Sequence, residues 1–252
     1  MNYSTLSLLI KRQFKEHYKT YVTGLLVLLV LLIFMFLVVH QWKDSFSGAV
    51  QNGVFVIGLF IAGGVFSNSM FGEFSSPQSG MWLLSIPAKA SEKVVSSIVI
   101  STVFFLLVYV ITFYVADFFY LLFAGSLKFE SILNPFKNDF YQFFFIYLIF
   151  NGLMLLGSVI FNKNSLIKML LAIAILFIIL NYLNGLLLSL LIPEANIVSS
   201  ITFDSFLFSH HGENVKVFLS DHINFYSALF VRIILPIALW VLVWLKLKEK
   251  EI

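Results

Sequence analysis

The stretch VTGLLVLLVLLIFMFLVV, from Val22 to Val39, decides the fold class. It carries no charge, and Thr23 is its one polar side chain. About 20 mostly apolar residues take an α-helix across a hydrocarbon core of roughly 30 Å. A helix also satisfies its own backbone groups where no water can. Five further apolar runs follow, at about 54–71, 94–123, 140–161, 166–192 and 225–245. Gly58, Gly63 and Gly64 lie in the second, Pro193 marks the end of the fifth, and Pro236 predicts a kink inside the sixth. The expected fold is all-α: one polytopic membrane domain over residues 1–252, with six transmembrane helices.

Composition points the same way. The hydrophobic set makes up 60% of the chain, charged residues 12%, and mean hydropathy is +0.96. A soluble surface usually takes about 25% charged residues, so the lipid bilayer is the expected surrounding. The chain has no cysteine, which excludes disulfides and thiolate metal sites. A pI near 9.0 raises nucleic acid as a partner, but the basic residues flank apolar runs and form no soluble patch. The first apolar run follows a basic amphipathic stretch and is too long for a signal-peptide core.

Lysine and arginine set the orientation. With the N-terminus inside, the inner segments hold eleven: Lys11, Arg12, Lys15, Lys19, Lys89, Lys93, Lys163, Lys168, Lys246, Lys248 and Lys250. The outer segments hold four, Lys43, Lys128, Lys137 and Lys216, and Arg232 lies within the last span. This predicts a multi-pass protein of the cell membrane with both termini cytoplasmic.

Residues 3–19 read as an amphipathic helix at the inner surface. Tyr3, Leu6, Ile10, Phe14 and Tyr18 fall on one face, and Arg12, Lys15, Glu16 and Lys19 on the other. The helix is either a functional element or a simple topology anchor. Between spans two and three, residues 73–93 mix apolar anchors (Met81, Trp82, Leu83, Leu84, Ile86) with the breakers Pro77, Gly80 and Pro87. One or two short helices are expected there, with Ser91 capping the start of span three. Such a segment either seats in a groove on a soluble partner or is an ordinary interfacial loop.

The run Leu83-Leu84-Ser85-Ile86-Pro87-Ala88, followed by Ser91-Glu92-Lys93 and a new span, resembles the leucine-leucine-x-x-proline segment of ABC-2-type transporter permeases. The resemblance extends to the layout: an initial surface helix, six spans, and a sizeable outer segment (193–224) before the last. It implies that residues 3–19 form an elbow helix. It also implies that Glu73, Phe74, Met81, Trp82, Leu83 and Leu84 form the element that rests on the ATPase. Expected partners are an ABC ATPase subunit and a second permease chain, identical or paralogous.

No G-x-x-x-x-G-K-S/T phosphate loop occurs, so no cofactor is expected in this chain, and ATP and Mg belong to the partner. The chain is expected not to be an enzyme. Charge within the spans is sparse: Asp117 and Arg232 either pair near the outer leaflet or snorkel separately to the headgroups. Asn151, Asn181 and Asn184 either line a path or bond between helices, while Gly58, Ala62, Gly63, Gly64, Gly152 and Gly157 read as close-packing positions. His210, His211 and His222 lack a spacing that fixes a metal site, so none is expected. Ile197, Ile201, Phe203, Phe206, Leu207 and Phe208 suggest short helices embedded in the outer leaflet. The expected function is the permease subunit of an ATP-driven exporter of an amphipathic or lipophilic substrate (peptide, lipid or drug). A non-transporting scaffold or sensor subunit is the alternative.

Overall fold

The computed structural model describes residues 3–42, 48–75, 80–81, 85–123, 142–191, 196–202, 205–210, 213–218 and 221–250. Six helical stretches are long and apolar enough to cross a membrane: Tyr18–Val39, Val50–Ser69, Ala90–Phe123, Gln142–Ile160, Ser165–Leu186 and Phe225–Lys250. The polytopic helical architecture is therefore as the sequence predicts. The elements are α1 (Tyr3–Glu16), α2 (Tyr18–Trp42), α3 (Gly48–Ser69), α4 (Ala90–Phe123), α5 (Gln142–Ile160) and α6 (Ser165–Leu191). Strands β1 (Asn196–Thr202), β2 (Ser205–His210) and β3 (Glu213–Phe218) precede α7 (Asp221–Leu229) and α8 (Leu235–Lys250). The chain divides into two compact units, Met1–Leu166 with Ala238–Ile252, and Ile167–Ile237.

The first unit packs around aromatic rings. Leu28, Leu32 and Phe36 recur every fourth residue on α2 and meet Val54, Phe55 and Leu59 of α3. From α4 come Phe105, Tyr109, Phe113, Ala116 and Tyr120. Phe36 stacks on Tyr120 at 5.0 Å between centroids, and Phe55 meets Phe113 edge-on at 4.9 Å. Gly58 makes room for this: a Cβ there would stand 2.6 Å from the Tyr109 hydroxyl and 2.9 Å from Leu32. The Tyr109 hydroxyl donates to the Phe55 carbonyl at 2.6 Å. Gly152 plays the same part against Leu239 of α8, where an added Cβ would come within 2.9 Å. Gly58, Gly63, Gly64 and Gly152 thus serve close packing, whereas Gly24 and Gly53 face open space.

α4 contains a π-turn at Ile100–Phe104. An ordinary α-helix would bond the Phe105 amide to the Ser101 carbonyl. Here that amide reaches Ile100 and Thr102 instead. Side chains of α5 serve the bypassed carbonyl: Tyr147 Oη donates to it at 2.8 Å and Asn151 Nδ2 lies at 3.4 Å. Asn151 Nδ2 also bonds Ser67 Oγ (2.7 Å) and Ser101 Oγ (2.9 Å). Asn151 is therefore the interhelical bond of its two readings.

Ser91 does not cap α4. The helix starts at Ala90 with Lys89 as its extended N-cap residue. Glu92 reaches back, its carboxylate accepting the Lys89 amide at 3.3 Å. With that bond the helix starts two residues ahead of the position expected from Ser91.

In the second unit, α6 is exposed along most of its length, as suits a helix facing acyl chains. Asn181 turns back on its own helix, donating to the Phe177 carbonyl at 2.7 Å. The segment expected to form short outer helices is instead an antiparallel sheet in the order β1-β2-β3. Its register pairs Ile197 with Phe208, Phe206 with Val217 and Phe208 with Val215. Residues such as Ile197, Val198, Ile201, Val215 and Val217 are β-branched and favour strands. Reading the apolar residues as helical stripes passed over that bias. α7 continues through a π-turn, Phe230–Ile234, into α8. The turn ends two residues before Pro236, which has no amide to offer the Arg232 carbonyl, so the predicted kink position adjoins a break in the α-helical ladder.

Candidate functional site

A charged constellation of Arg12, Glu16, His17 and Glu73 gathers in the first unit, where α1 meets the turn after α3. α1 does not simply lie on a lipid surface. Its Ile10 and Phe14 pack against a buried cluster containing Met70, Phe71, Phe74, Ala90 and Val94. The Phe14 ring meets Phe104 edge-on at 4.5 Å and Tyr21 at 5.6 Å. The apolar stripe legible in the sequence is thus partly satisfied by protein. The opposite face turns Arg12 and Glu16 towards a small cavity of about 40 Å³, which His17, Glu73, Lys93 and Ser97 also line.

Local structure fixes each group. Arg12 Nε donates to Glu16 Oε1 at 2.8 Å, an (i, i+4) pair on α1. α1 ends at Glu16, and the backbone bonds His17 N to Gln13 O and Tyr21 N to His17 O carry the chain into α2. His17 therefore stands at the joint between the two helices. Its Nε2 lies 3.9 Å from Glu73 Oε1, a contact that becomes an ion pair when His17 is protonated. Glu73 sits in a single 3-10 turn, Gly72–Ser75, held by the Phe74 amide bonding the Phe71 carbonyl. Burial pushes the Glu73 carboxyl above its ordinary range, His17 and Arg12 pull it down, and Glu16 adds to the rise. Lys93 is 4% exposed, and its carbonyl takes the hydroxyls of Ser96 and Ser97 at 2.8 and 3.0 Å.

Potential ligand atoms of Glu16, His17 and Glu73 lie within 4.8 Å of one another. The Arg12 guanidinium already bonds Glu16, and a cation there would compete with it. The arrangement suits a chain of charge contacts from α1 to the segment after α3. It links α1 to the 3-10 turn through the contact of His17 with Glu73.

Comparison with protein-family models, curated proteins and solved structures yields no match to this chain.

The residues expected to rest on an ATPase divide as follows. Glu73 and Phe74 are in place, Phe74 buried and stacked on Phe71 at 6.3 Å. Met81 is 64% exposed, an apolar side chain left free of the core. Trp82, Leu83 and Leu84 lie outside the described residues. The C-terminal end of α8 joins this region. Lys250 Nζ stands 4.5 Å over the Phe74 ring and donates to Asn162 Oδ1 at 3.1 Å. At the other end of α4, Asp117 is 1% exposed and accepts Gln51 Nε2 at 2.9 and 3.2 Å. Arg232, its proposed partner, belongs to the second unit. Sequence reasoning missed Gln51 and His17. Neither falls in a motif, and only the fold brings residues 66 and 56 positions apart together.

Proposed function

We propose that the chain is the permease subunit of an ABC-2-type exporter, driven by ATP that a separate subunit hydrolyses with its own Mg. The contact of His17 with Glu73 carries this reading. It ties the N-terminal amphipathic helix to the segment after the second span, where a push from a soluble motor would be received. Movement of that segment would pass through Glu73 and the Phe14–Phe104 contact into α1 and the π-turn of α4. The exposed Met81 gives the same segment an apolar contact for a partner.

Further support comes from convergence. The joint after α1, the 3-10 turn, Asn162 and Lys250 all meet at one end of the first unit. The C-terminal end of α8 and the joint after α1 both neighbouring the Glu73–Phe74 turn would suit an even number of spans with both termini cytoplasmic. The substrate class that fits this apolar chain is amphipathic or lipophilic, carried between two permease copies.

The deciding experiment is purification of the chain in mild detergent, with identification of what co-purifies and an ATPase assay. A stoichiometric soluble subunit carrying a phosphate loop is expected, and it should be lost when residues 73–84 become a Gly/Ser linker. A chain that purifies alone and without ATPase activity would overturn the proposal in favour of a scaffold or sensor.

A further inference from the structure

A groove of about 350 Å³ runs along the outer surface of the first unit, between α2, α3 and α4. On α2 it extends from Thr20 to Leu31, which at about 1.5 Å per residue is roughly 16 Å. Half of a hydrocarbon core of about 30 Å is one leaflet, the depth occupied by one acyl chain. The floor is aromatic, with Phe66 and Phe105 stacked at 5.1 Å. Gly24 opens the wall, since a Cβ there would meet nothing within 4 Å.

The groove is amphipathic along its length. Its polar end holds Thr20, Tyr21 and Ser69. The Tyr21 hydroxyl is buried towards Gln13, which leaves Thr20 and Ser69 as the exposed hydroxyls of that end. Lys19, exposed, directly precedes Thr20. The remaining wall is apolar and ends at Leu31, about halfway along α2. A second groove, at Leu29, Ile33 and Leu37, occupies a different face of α2 and does not extend the first. A spanning helix from another copy would need an apolar seam through both leaflets. An anionic phospholipid needs one leaflet of apolar wall and a basic, hydroxylated end.

The geometry points to an ordered anionic phospholipid here, one acyl chain along the groove and its phosphate at Lys19 and Thr20. This requires only the bilayer and stands apart from the permease reading. The test places the full chain in vesicles of phosphatidylcholine and phosphatidylglycerol with a trace of phosphatidylglycerol bearing a diazirine in its acyl chain. After illumination, adducts are mapped by mass spectrometry. They should concentrate at Leu28 and Phe66, disappear in Gly24→Phe, and fall about fivefold in Lys19→Ala, the worth of one interfacial lysine on an anionic surface. The Lys19→Ala loss should be absent with a phosphatidylcholine probe. Adducts spread evenly over Leu26, Val30 and the groove in the unaltered chain would overturn the proposal, whether or not Gly24→Phe folds. So would efficient disulfide formation between copies of Gly24→Cys with no adducts in the groove, which would make a second copy the occupant.

Discussion

Tyr147→Phe removes one oxygen from a fully buried ring and leaves the packing of α3, α4 and α5 in place. That oxygen is the 2.8 Å donor to the Ser101 carbonyl, which the Phe105 amide bypasses in the π-turn. Asn151 Nδ2, at 3.4 Å and already bonded to two hydroxyls, is a poor substitute. A buried carbonyl left without a partner costs about 1–3 kcal/mol. Interhelical bonds in bilayers average about 0.6 and reach about 1.7 kcal/mol. The expected loss is therefore about 1–2 kcal/mol, which at roughly 2–4 °C per kcal/mol lowers Tm by about 2–8 °C. Thermal melting of the purified protein in one detergent measures it. Tyr147→Phe combined with Asn151→Leu should cost more than the two single changes together, because both serve one carbonyl. A Tyr147→Phe protein within about 0.3 kcal/mol of the parent, with an additive double variant, would refute the reasoning.

Gly58→Ala should cost about 1–3 kcal/mol in the same melting assay, because its Cβ would overlap the Tyr109 hydroxyl and Leu32. Gly24→Ala, facing open space, should melt at or slightly above the parent temperature. The raised Glu73 carboxyl gives a pH signature. The folded state holds that proton more tightly than the unfolded chain, so stability present below the ordinary value of 4.5 is lost as pH rises through the raised one. The Tm of Glu73→Gln relative to the parent should therefore climb as pH rises from 4.5 towards neutrality, and a flat difference would count against a buried carboxyl. The same variant should weaken stimulation of a co-purifying ATPase without loss of Tm, separating a coupling role from a structural one. With no native cysteine, single Lys11→Cys and Lys250→Cys chains should react with an impermeant maleimide from the same side of oriented vesicles.

Much of the fold was legible because lipid simplifies the reading. Six apolar runs had one structural solution, and the run at Val22–Val39 became the middle of α2, which begins four residues earlier and ends three later. The amphipathic face of α1 was legible too, but not what it packs against. Phe14 on Phe104 is a pairing between residues 90 positions apart. The outer segment misled because Phe and Ile are apolar at either helical or strand spacing, and only the β-branched bias distinguishes them. Of the candidate site, Glu73 was found through a resemblance, whereas His17 was hidden. A histidine beside a basic helix looks like one more polar residue until the bend after α1 brings it to Glu73.

The π-turn of α4 also solves a problem of rotation. Lys93, Ser97, Ser101, Phe105, Tyr109 and Phe113 are all buried, at intervals of four. Each step of four carries a side chain about 40° past a full turn, so five steps would wind this row about 200° around an ideal helix. Half of it would then face lipid. One surplus residue in the π-turn takes back about 100° of that winding. The remaining 100° or so is the width of an ordinary buried stripe. Deleting a single residue within Ile100–Phe104 would thus act on the whole of Phe105–Phe123, swinging the aromatic ridge away from α2 and α3 as a key turned in its lock.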